Sequence, residues 1–171
     1  NGLRLAAEPS LCDQLARRGV YVSLQLDGLD PGALGALRGA GNQLAAKHKA
    51  LDNLERAGVR TTLVSTVARG VNDHLLGDVV RLFYEKRFLL SLMFQPAVYN
   101  GAGGGRFQPH DPLDVVTIPD VVAAIDAQSD GRLTKGDFLP LPCSHPSCFG
   151  LTYLLEVDGT FVPFGRFLSM E

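Results

Sequence analysis

The chain has 171 residues, which is enough for one domain with a hydrophobic core. Hydrophobic residues make up 46% of it and charged residues 20%, and this composition excludes an intrinsically disordered chain. The formal net charge of −2 is not that of a nucleic-acid-binding protein, and no apolar run reaches the roughly 20 residues that span a bilayer.

The first third of the sequence predicts a helix, a strand and a second helix. Residues 9–18 have a helical pattern that Gly19 ends. Residues 20–26 are a mostly apolar, β-branched run before the turn Asp27-Gly28, and such a run predicts a strand buried on both faces. The second helix extends over 42–57. Its predicted inward face consists of Leu44, His48, Leu51 and Leu54.

Two further strands follow, with a helix between them. Residues 60–67 predict the second strand and residues 89–95 the third. We expect Asn72 or Asp73 to cap the intervening helix. Its predicted inward face holds Leu76, Val79, Val80 and Phe83. Strands and helices that alternate in this way indicate right-handed βαβ units, so the predicted fold class is α/β with a parallel sheet.

Candidate binding residues lie where the predicted strands end, because ligands of parallel sheets bind at the carboxyl ends of the strands. Ser23, Gln25 and Asp27 alternate onto one face of the first strand. The segment 66–72 follows the second strand, and Gln95 ends the third. The alternative is that Ser23 is a filler residue and that Asp27-Gly28 is only a turn.

The second half of the chain contains a loop, a helix and a hairpin. The glycine loop over 99–106 lacks the lysine and serine of a P-loop, which excludes phosphate binding of that kind. We expect Thr117 to cap a helix over 119–128. The clearest hairpin in the chain joins 151–157 to 160–164 through Asp158-Gly159.

Several short motifs stand in a fixed order along the chain. They are Asn1-Gly2, VSLQLDG at 22–28, Arg38-Gly39, ALDNL at 50–54, TVARGVN at 66–72 and DFLPLPCSHPSC at 137–148. In this order they resemble the radical S-adenosylmethionine (SAM) enzymes related to molybdenum-cofactor biosynthesis protein A. The last motif resembles a branch of that family that includes archaeal lipid-modifying members.

The resemblance implies a fold and an activity. The fold is the C-terminal portion of an incomplete parallel (βα) barrel over 1–130, followed by an extension with a β-hairpin over 131–171. The activity is the reductive cleavage of SAM by a [4Fe–4S] cluster, and the 5′-deoxyadenosyl radical that results abstracts hydrogen from a substrate that the sequence does not identify. The implied partners are SAM and that substrate, without nucleic acid and without a membrane span.

The resemblance also implies roles for single residues. Ser23, Gln25 and Asp27 would reach the ribose or carboxylate of SAM. Arg38 would pair with the SAM carboxylate, for which a planar guanidinium is suited. Asn72 would contact SAM, and Gln95 lies where the family makes backbone contacts to adenine.

Each of these residues also has a simpler interpretation. Arg38 could be a solvated arginine in an Ala/Gly-rich loop, and Asn72 a helix cap. Gln95 before Pro96 is also common at the end of a strand. Lys47, on the helix over 42–57, is a weaker candidate that we expect to face solvent.

The chain departs from the family pattern in two ways. Gln25-Leu26 lengthens the common Val-Ser-Leu-Asp-Gly motif. The larger departure is that the sequence contains neither Cys-x3-Cys-x2-Cys nor Gly-Gly-Glu-Pro, which in the family bind the cluster and the amino group of SAM. We therefore expect a fragment of a longer enzyme, entered at Asn1-Gly2, that is inactive by itself.

Cys143 and Cys148 are the strongest metal-binding signal in the chain. Two thiolates this close, flanked by prolines and a histidine, could bind an auxiliary iron–sulfur cluster or zinc. A complete site needs about four ligands, and the obvious additions are Cys12, His110 and His145. The alternative is free thiols or a local disulfide. The odd number of cysteines, three, indicates a reducing compartment or a bound metal, and we expect a cytoplasmic protein.

Two other functions remain open at this point. One is a non-catalytic binding half-barrel, which would dimerise or pair through an exposed strand edge near residues 20–26. The other is a small zinc-binding domain built on Cys143, His145 and Cys148.

Overall fold

A computed structural model describes residues 1–39, 41–98, 114–140 and 148–168. The predicted glycine loop lies outside the described residues, as do Cys143, His110 and His145. The helices are α1 (Leu3–Ala7), α2 (Pro9–Arg17), α3 (Pro31–Arg38), α4 (Leu44–Arg56), α5 (Leu76–Glu85) and α6 (Ile118–Gln128). The strands are β1 (Val22–Gln25), β2 (Thr61–Val67), β3 (Leu89–Pro96), β4 (Leu154–Val157) and β5 (Thr160–Pro163).

The strands form two separate sheets. Strands β1, β2 and β3 form a parallel sheet in that order, and β4 pairs with β5 in an antiparallel hairpin. Helices α3 and α4 connect β1 to β2, and α5 connects β2 to β3. The predicted α/β class and the predicted hairpin are confirmed. Sequence patterns missed α1 and α3.

One face of the parallel sheet carries the core. Leu24, Leu26 and Leu63 point from this face and are almost completely buried. They pack against α4 and α5 through Ala50, Leu51, Leu54 and Val79. At about 25 cal/mol per Å² of buried apolar area, this packing provides most of the driving force for folding of the sheet.

The other face of the sheet is polar and open. Side chains in register across the three strands form the rows Ser23–Thr62–Ser91 and Gln25–Val64–Met93, followed by Thr66–Gln95. All of them are half-buried or exposed in the described part of the chain, and Met93 keeps 45% of its surface exposed. The prediction that the first strand is buried on both faces is therefore wrong, because the helices pack against only one face.

The buried face of α4 differs from the prediction by one position. Lys47, Ala50, Leu51 and Leu54 are buried, and His48 is exposed. The predicted face with His48 and the predicted solvent-facing Lys47 are both wrong. Residues 47, 50, 51 and 54 share one stripe at 3.6 residues per turn, and the apolar chemistry of three of them sets its direction.

Helix α5 begins four residues after Asn72, and its N-terminus is capped by another helix. The Gln128 side chain, at the end of α6, accepts a hydrogen bond from the Gly77 N–H at 3.1 Å and donates one to the Asp73 carbonyl at 2.8 Å. A Cβ on Gly77 would lie 2.3 Å from the Gln128 carbonyl oxygen, so only glycine allows this approach. The prediction that Asn72 or Asp73 caps this helix is wrong, because a long-range contact replaces the local cap.

The C-terminal elements pack against α5. Thr117 caps α6 as predicted, in a capping box with Asp120. Asp158 and Gly159 adopt positive φ angles of 49° and 77° in the hairpin turn, which suits an Asp-Gly pair. Phe161 of the hairpin contacts the rings of Phe83 and Tyr84. Among the residues described, no helix has both the length and the apolar character that a membrane-spanning segment requires.

Candidate functional site

Asp27 lies at the centre of a polar cluster where β1 and β2 end. Its side chain is 2% exposed, although it follows the strand by two residues. The carboxylate accepts hydrogen bonds from Arg38 Nε at 2.7 Å, from Arg38 Nη2 at 3.1 Å and from the Thr66 N–H at 2.8 Å. A buried carboxylate is tolerated only when it is paired in this way.

Arg38 reaches the cluster from the end of α3 and not from a loop. Asp30 accepts a hydrogen bond from the Ala33 N–H at 2.7 Å, and Pro31 occupies the first turn, so the sequence Asp-Pro starts this helix. The Arg38 side chain remains 37% exposed and also donates to Thr66 Oγ1 at 2.8 Å. The alternative of a solvated arginine in a loop is therefore wrong.

Gln25 joins this cluster, and Ser23 does not. The Gln25 amide lies 3.4 Å from both Asp27 Oδ1 and Thr66 Oγ1, which makes both hydrogen bonds long and weak. Ser23 lies on the same face of β1 but one row farther from the strand end, where it is exposed. The alternation predicted from sequence brings Gln25 and Asp27 together.

Asn72 is a buried side chain that links the ends of β1 and β2 by hydrogen bonds. It is 1% exposed, and its amide donates to the carbonyls of Asp27 and Thr66, each at 2.7 Å. Its oxygen accepts from the Ala68 N–H at 2.9 Å. Its predicted contact with SAM stays a prediction, but in this structure its amide hydrogens are already used within the protein.

Lys47 belongs to this polar cluster, although its sequence position predicted a solvent-facing side chain. Its ammonium donates to the Gln25 carbonyl at 2.7 Å and to the Asn1 carbonyl. Burial lowers the pKa of Lys47, and the nearby Asp27 carboxylate opposes that shift. The signal in the sequence was its spacing, because Lys47 falls on the same helical stripe as Ala50 and Leu54.

Gln95 marks the third strand end on the open face. It is exposed and stands in register with Thr66, while its amide lies 3.3 Å from the Met93 sulfur. Thr66 is the first residue of the TVARGVN motif at 66–72, but the resemblance assigned it no role of its own. The open face therefore presents amides and a hydroxyl beside the Asp27–Arg38 pair.

The charges of the cluster favour an anion. One carboxylate, Asp27, faces two cations, Arg38 and Lys47, so the formal sum is one positive charge. The hydrogen bonds of Arg38 among the described residues use Nε and Nη2, which leaves Nη1 for a ligand. A guanidinium edge beside uncharged amides can hold a carboxylate and the hydroxyl groups of a ribose.

The described residues do not fit an iron–sulfur cluster. No group of three or more His, Cys, Asp or Glu side chains within the described ranges could hold a metal ion. Cys12, considered as an extra ligand, is buried in the core, where burial raises the pKa of its thiol. Cys148 is exposed, and its predicted metal site with Cys143 stays a prediction.

Comparison with known proteins gives one informative relative. No family model matches the chain. The chain is 30% identical, over 174 residues, to the 7,8-dihydro-6-hydroxymethylpterin dimethyltransferase of Methanocaldococcus jannaschii. The alignment covers 88% of this chain and 33% of the relative. The chain therefore spans about a third of the length of the curated relative that it matches.

Proposed function

We propose that this chain forms the C-terminal part of the barrel of a radical SAM enzyme and supplies about half of its SAM site. The observation that carries the proposal is the open, polar sheet face with the Asp27–Arg38 pair at the strand ends. The ordered motifs of the sequence and the similarity to a methyl-transferring enzyme support it independently.

The shape of the sheet supports a barrel. Helices cover one face of the three parallel strands, and the polar residues of the other face would line the interior of a barrel. In the described structure β1 pairs only with β2, so its outer edge can accept another parallel strand. In the proposed parent enzyme, the remaining strands belong to parts of the longer protein that this chain does not contain.

Four residues would hold SAM. Arg38 would bind the carboxylate through its free Nη1 edge, and Gln25 and Thr66 would face the ribose. Gln95 would lie near the adenine at the end of β3. Asp27 would act by orienting Arg38, because it spans two donors of the guanidinium. The resemblance to the radical SAM family implies which part of SAM each residue would contact, and the position of these groups on one side of the sheet is consistent with it.

Iron–sulfur chemistry would come from outside the described residues. In the enzyme class proposed, a reduced [4Fe–4S] cluster supplies the electron that cleaves SAM. The sequence contains no Cys-x3-Cys-x2-Cys motif, so we propose that the 171 residues bind SAM weakly and do not cleave it. For the parent enzyme, we favour methyl transfer and name a pterin as the first substrate to test, since the relative is a pterin dimethyltransferase.

Ligand titration followed by NMR tests the binding proposal. S-adenosylhomocysteine, which is stable and keeps the amino-acid part of SAM, should shift the signals of Gln25, Thr66 and Gln95. Gln25→Ala removes a side-chain amide that would face the ribose and should weaken binding about threefold, as expected for one hydrogen bond. Gln14→Ala, an exposed change on α2, is the matched control and should leave binding unchanged. An absence of shifts at millimolar ligand would contradict the proposal.

The coding region upstream of Asn1 tests the catalytic part. We expect Cys-x3-Cys-x2-Cys followed by Gly-Gly-Glu-Pro within about a hundred codons, the length of the missing half-barrel. The protein that contains both motifs should cleave SAM after anaerobic reconstitution with iron and sulfide. An open reading frame without either motif would refute the radical mechanism.

A non-catalytic binding half-barrel is the second candidate, and the edge of β1 favours it. Val20 and Tyr21, just before this strand, are 41% and 65% exposed. Such an edge can pair with a second copy of the chain. Light scattering at micromolar concentration separates the candidates, since a dimer that fails to bind S-adenosylhomocysteine supports the second one.

A further inference from the structure

Lys47 occupies an unusual position for a lysine. Its residue surface is only 4% exposed, and lysine is almost never fully buried unless its charge is paired. Its direct hydrogen-bond partners are two main-chain carbonyls, those of Gln25 and Asn1. A carbonyl compensates a buried charge less well than a carboxylate does, so this placement costs stability that Leu or Met at position 47 would not cost.

The two carbonyls belong to segments that are distant in sequence. Gln25 ends β1, and its side chain points onto the open face beside Thr66. Asn1 precedes α1, which packs along α4. The ammonium of Lys47 therefore fixes the strand end from which Gln25 and Asp27 project.

A second residue of α4 already secures α1 without any charge. Asn53 donates to the Leu5 carbonyl at 2.8 Å and to the Ala6 carbonyl at 3.3 Å. Attachment of the N-terminal segment to α4 thus does not require a cation at position 47. What Lys47 adds is a positive charge bonded to the Gln25 carbonyl, two residues before Asp27, whose carboxylate pairs with Arg38.

We propose that Lys47 is a positioning residue of the SAM site, which holds the end of β1 in place and supplies the positive charge that Asp27 does not neutralise. This inference rests on the proposed function. In this role Lys47 does not touch the ligand. It keeps Gln25 aligned with the open face. Its positive charge gives the site around the Asp27–Arg38 pair a net attraction for a carboxylate.

Two ligands separate this role from a purely structural one. S-adenosylhomocysteine carries the carboxylate, and 5′-methylthioadenosine has the same adenosine and thioether without the amino acid. Lys47→Met should weaken both ligands, because both carry the ribose that Gln25 would face. It should also reduce the preference for S-adenosylhomocysteine over 5′-methylthioadenosine about tenfold, as expected for one charge removed from a partly buried site. Both dissociation constants are measured by NMR titration of the full chain.

Matched controls use the same helix. Lys49→Met removes an exposed charge two residues away and should leave the preference unchanged. Asn53→Ala weakens the attachment of α1 and should not alter the preference either. An equal loss of affinity for both ligands in Lys47→Met would overturn the proposal and assign Lys47 a structural role.

A measurement on the unaltered chain covers the case in which Lys47→Met does not fold. The ¹⁵Nζ signal of Lys47 should shift on addition of S-adenosylhomocysteine and stay in place with 5′-methylthioadenosine. If the ¹⁵Nζ signal of Lys47 stays in place although both ligands bind, the positioning role alone is overturned. Failure of both ligands to bind the unaltered chain overturns the proposed function, and the role of Lys47 falls with it.

Discussion

Two buried aspartates, each held by one arginine, lie in different regions of the molecule. At the strand ends, the Asp27 side chain is 2% exposed and that of Arg38 37%. In the C-terminal region, the corresponding values are 4% for Asp137 and 40% for Arg166. In both pairs the arginine donates from Nε, at 2.7 Å, and from Nη2, at 3.1 Å for Arg38 and 2.6 Å for Arg166, so both ion pairs are bidentate.

The surroundings of the two pairs differ. Asp137 takes its other hydrogen bonds from Thr134, in a capping box of the short turn Lys135–Asp137. Besides its bonds from Arg38, Asp27 accepts a hydrogen bond from the main-chain N–H of Thr66, 39 residues away. It also lies near a second cation, Lys47. The first pair closes a local turn onto the segment after β5. The second joins two strand ends beside an open polar face. We therefore propose a binding role for this pair and infer that the C-terminal pair is a structural clamp.

Removal of either arginine should give the largest loss of stability. Arg38→Met and Arg166→Met each leave a buried carboxylate without its partner, and we expect each to lower the free energy of unfolding by about 2–3 kcal/mol. This value lies below that of a fully buried pair because water reaches both guanidiniums. Urea denaturation measures it.

Ligand binding then separates the two pairs. Arg38→Met should abolish the binding of S-adenosylhomocysteine, and Arg166→Met should leave it unchanged at a temperature where both variants are folded. If both variants lose binding equally, the strand-end pair is no more a binding site than the C-terminal one.

Two buried asparagines give a smaller effect of the same kind. Asn72→Ala removes the three hydrogen bonds that join Asn72 to Asp27, Thr66 and Ala68 at the strand ends, and we expect a loss of about 2 kcal/mol. Asn53→Ala removes two hydrogen bonds to α1 and should cost about 1–2 kcal/mol. Only Asn72→Ala should also weaken ligand binding in the NMR titration. Unchanged binding in Asn72→Ala would show that the strand ends keep their positions without it.

The contribution of the Asp137–Arg166 pair to stability should depend on pH. The hydrogen bond from Arg166, together with those from Thr134, lowers the pKa of Asp137 below its ordinary value. A carboxyl whose pKa is lower in the folded than in the unfolded chain stabilises the fold above its unfolded pKa, near 3.9, and loses this contribution as the pH falls through the folded pKa.

The comparison with Asp137→Asn isolates that contribution. The variant should be less stable than the unaltered chain at pH 7, and the difference should shrink as the pH falls below about 4. Asp120 also has a lowered pKa, but it is present in both proteins and cancels in the difference. Denaturation curves at pH 7, 4 and 3 measure the difference, and a constant gap would contradict the assignment.

Much of the fold could be predicted because its signals are local. The strand over 60–67 and the cap at Thr117 follow from apolar runs and capping chemistry, and so does the Asp158-Gly159 turn. Helix α3 was missed because its composition, rich in glycine and alanine, resembles that of a loop, although Asp30-Pro31 is a start signal. The predicted cap of α5 was wrong because the side chain that caps this helix, Gln128, belongs to α6.

The site was predicted in part. Gln25, Asp27 and Arg38 come together as the strand-end rule and the family resemblance suggested. Lys47 was assigned to solvent because a lysine on a helix usually lies there, and only the position of β1 above α4 gives its ammonium two carbonyl partners. Thr66 contributes because the pairing of β1 with β2 brings it within hydrogen-bond distance of Gln25 and Asp27, and that pairing depends on tertiary structure.

The sequence by itself determined the alternation of strands and helices, and with it the edge of the sheet at which polar residues gather, because periodicity and turn chemistry act over a few residues. The tertiary structure decided which face of the sheet is open, which charge is buried and which of two similar ion pairs lies beside that open face. These properties depend on contacts between residues 20 to 50 positions apart, such as Lys47 with Gln25 and Asp27 with Thr66. Their energies arise only when the packed helices exclude water from one side of the strands.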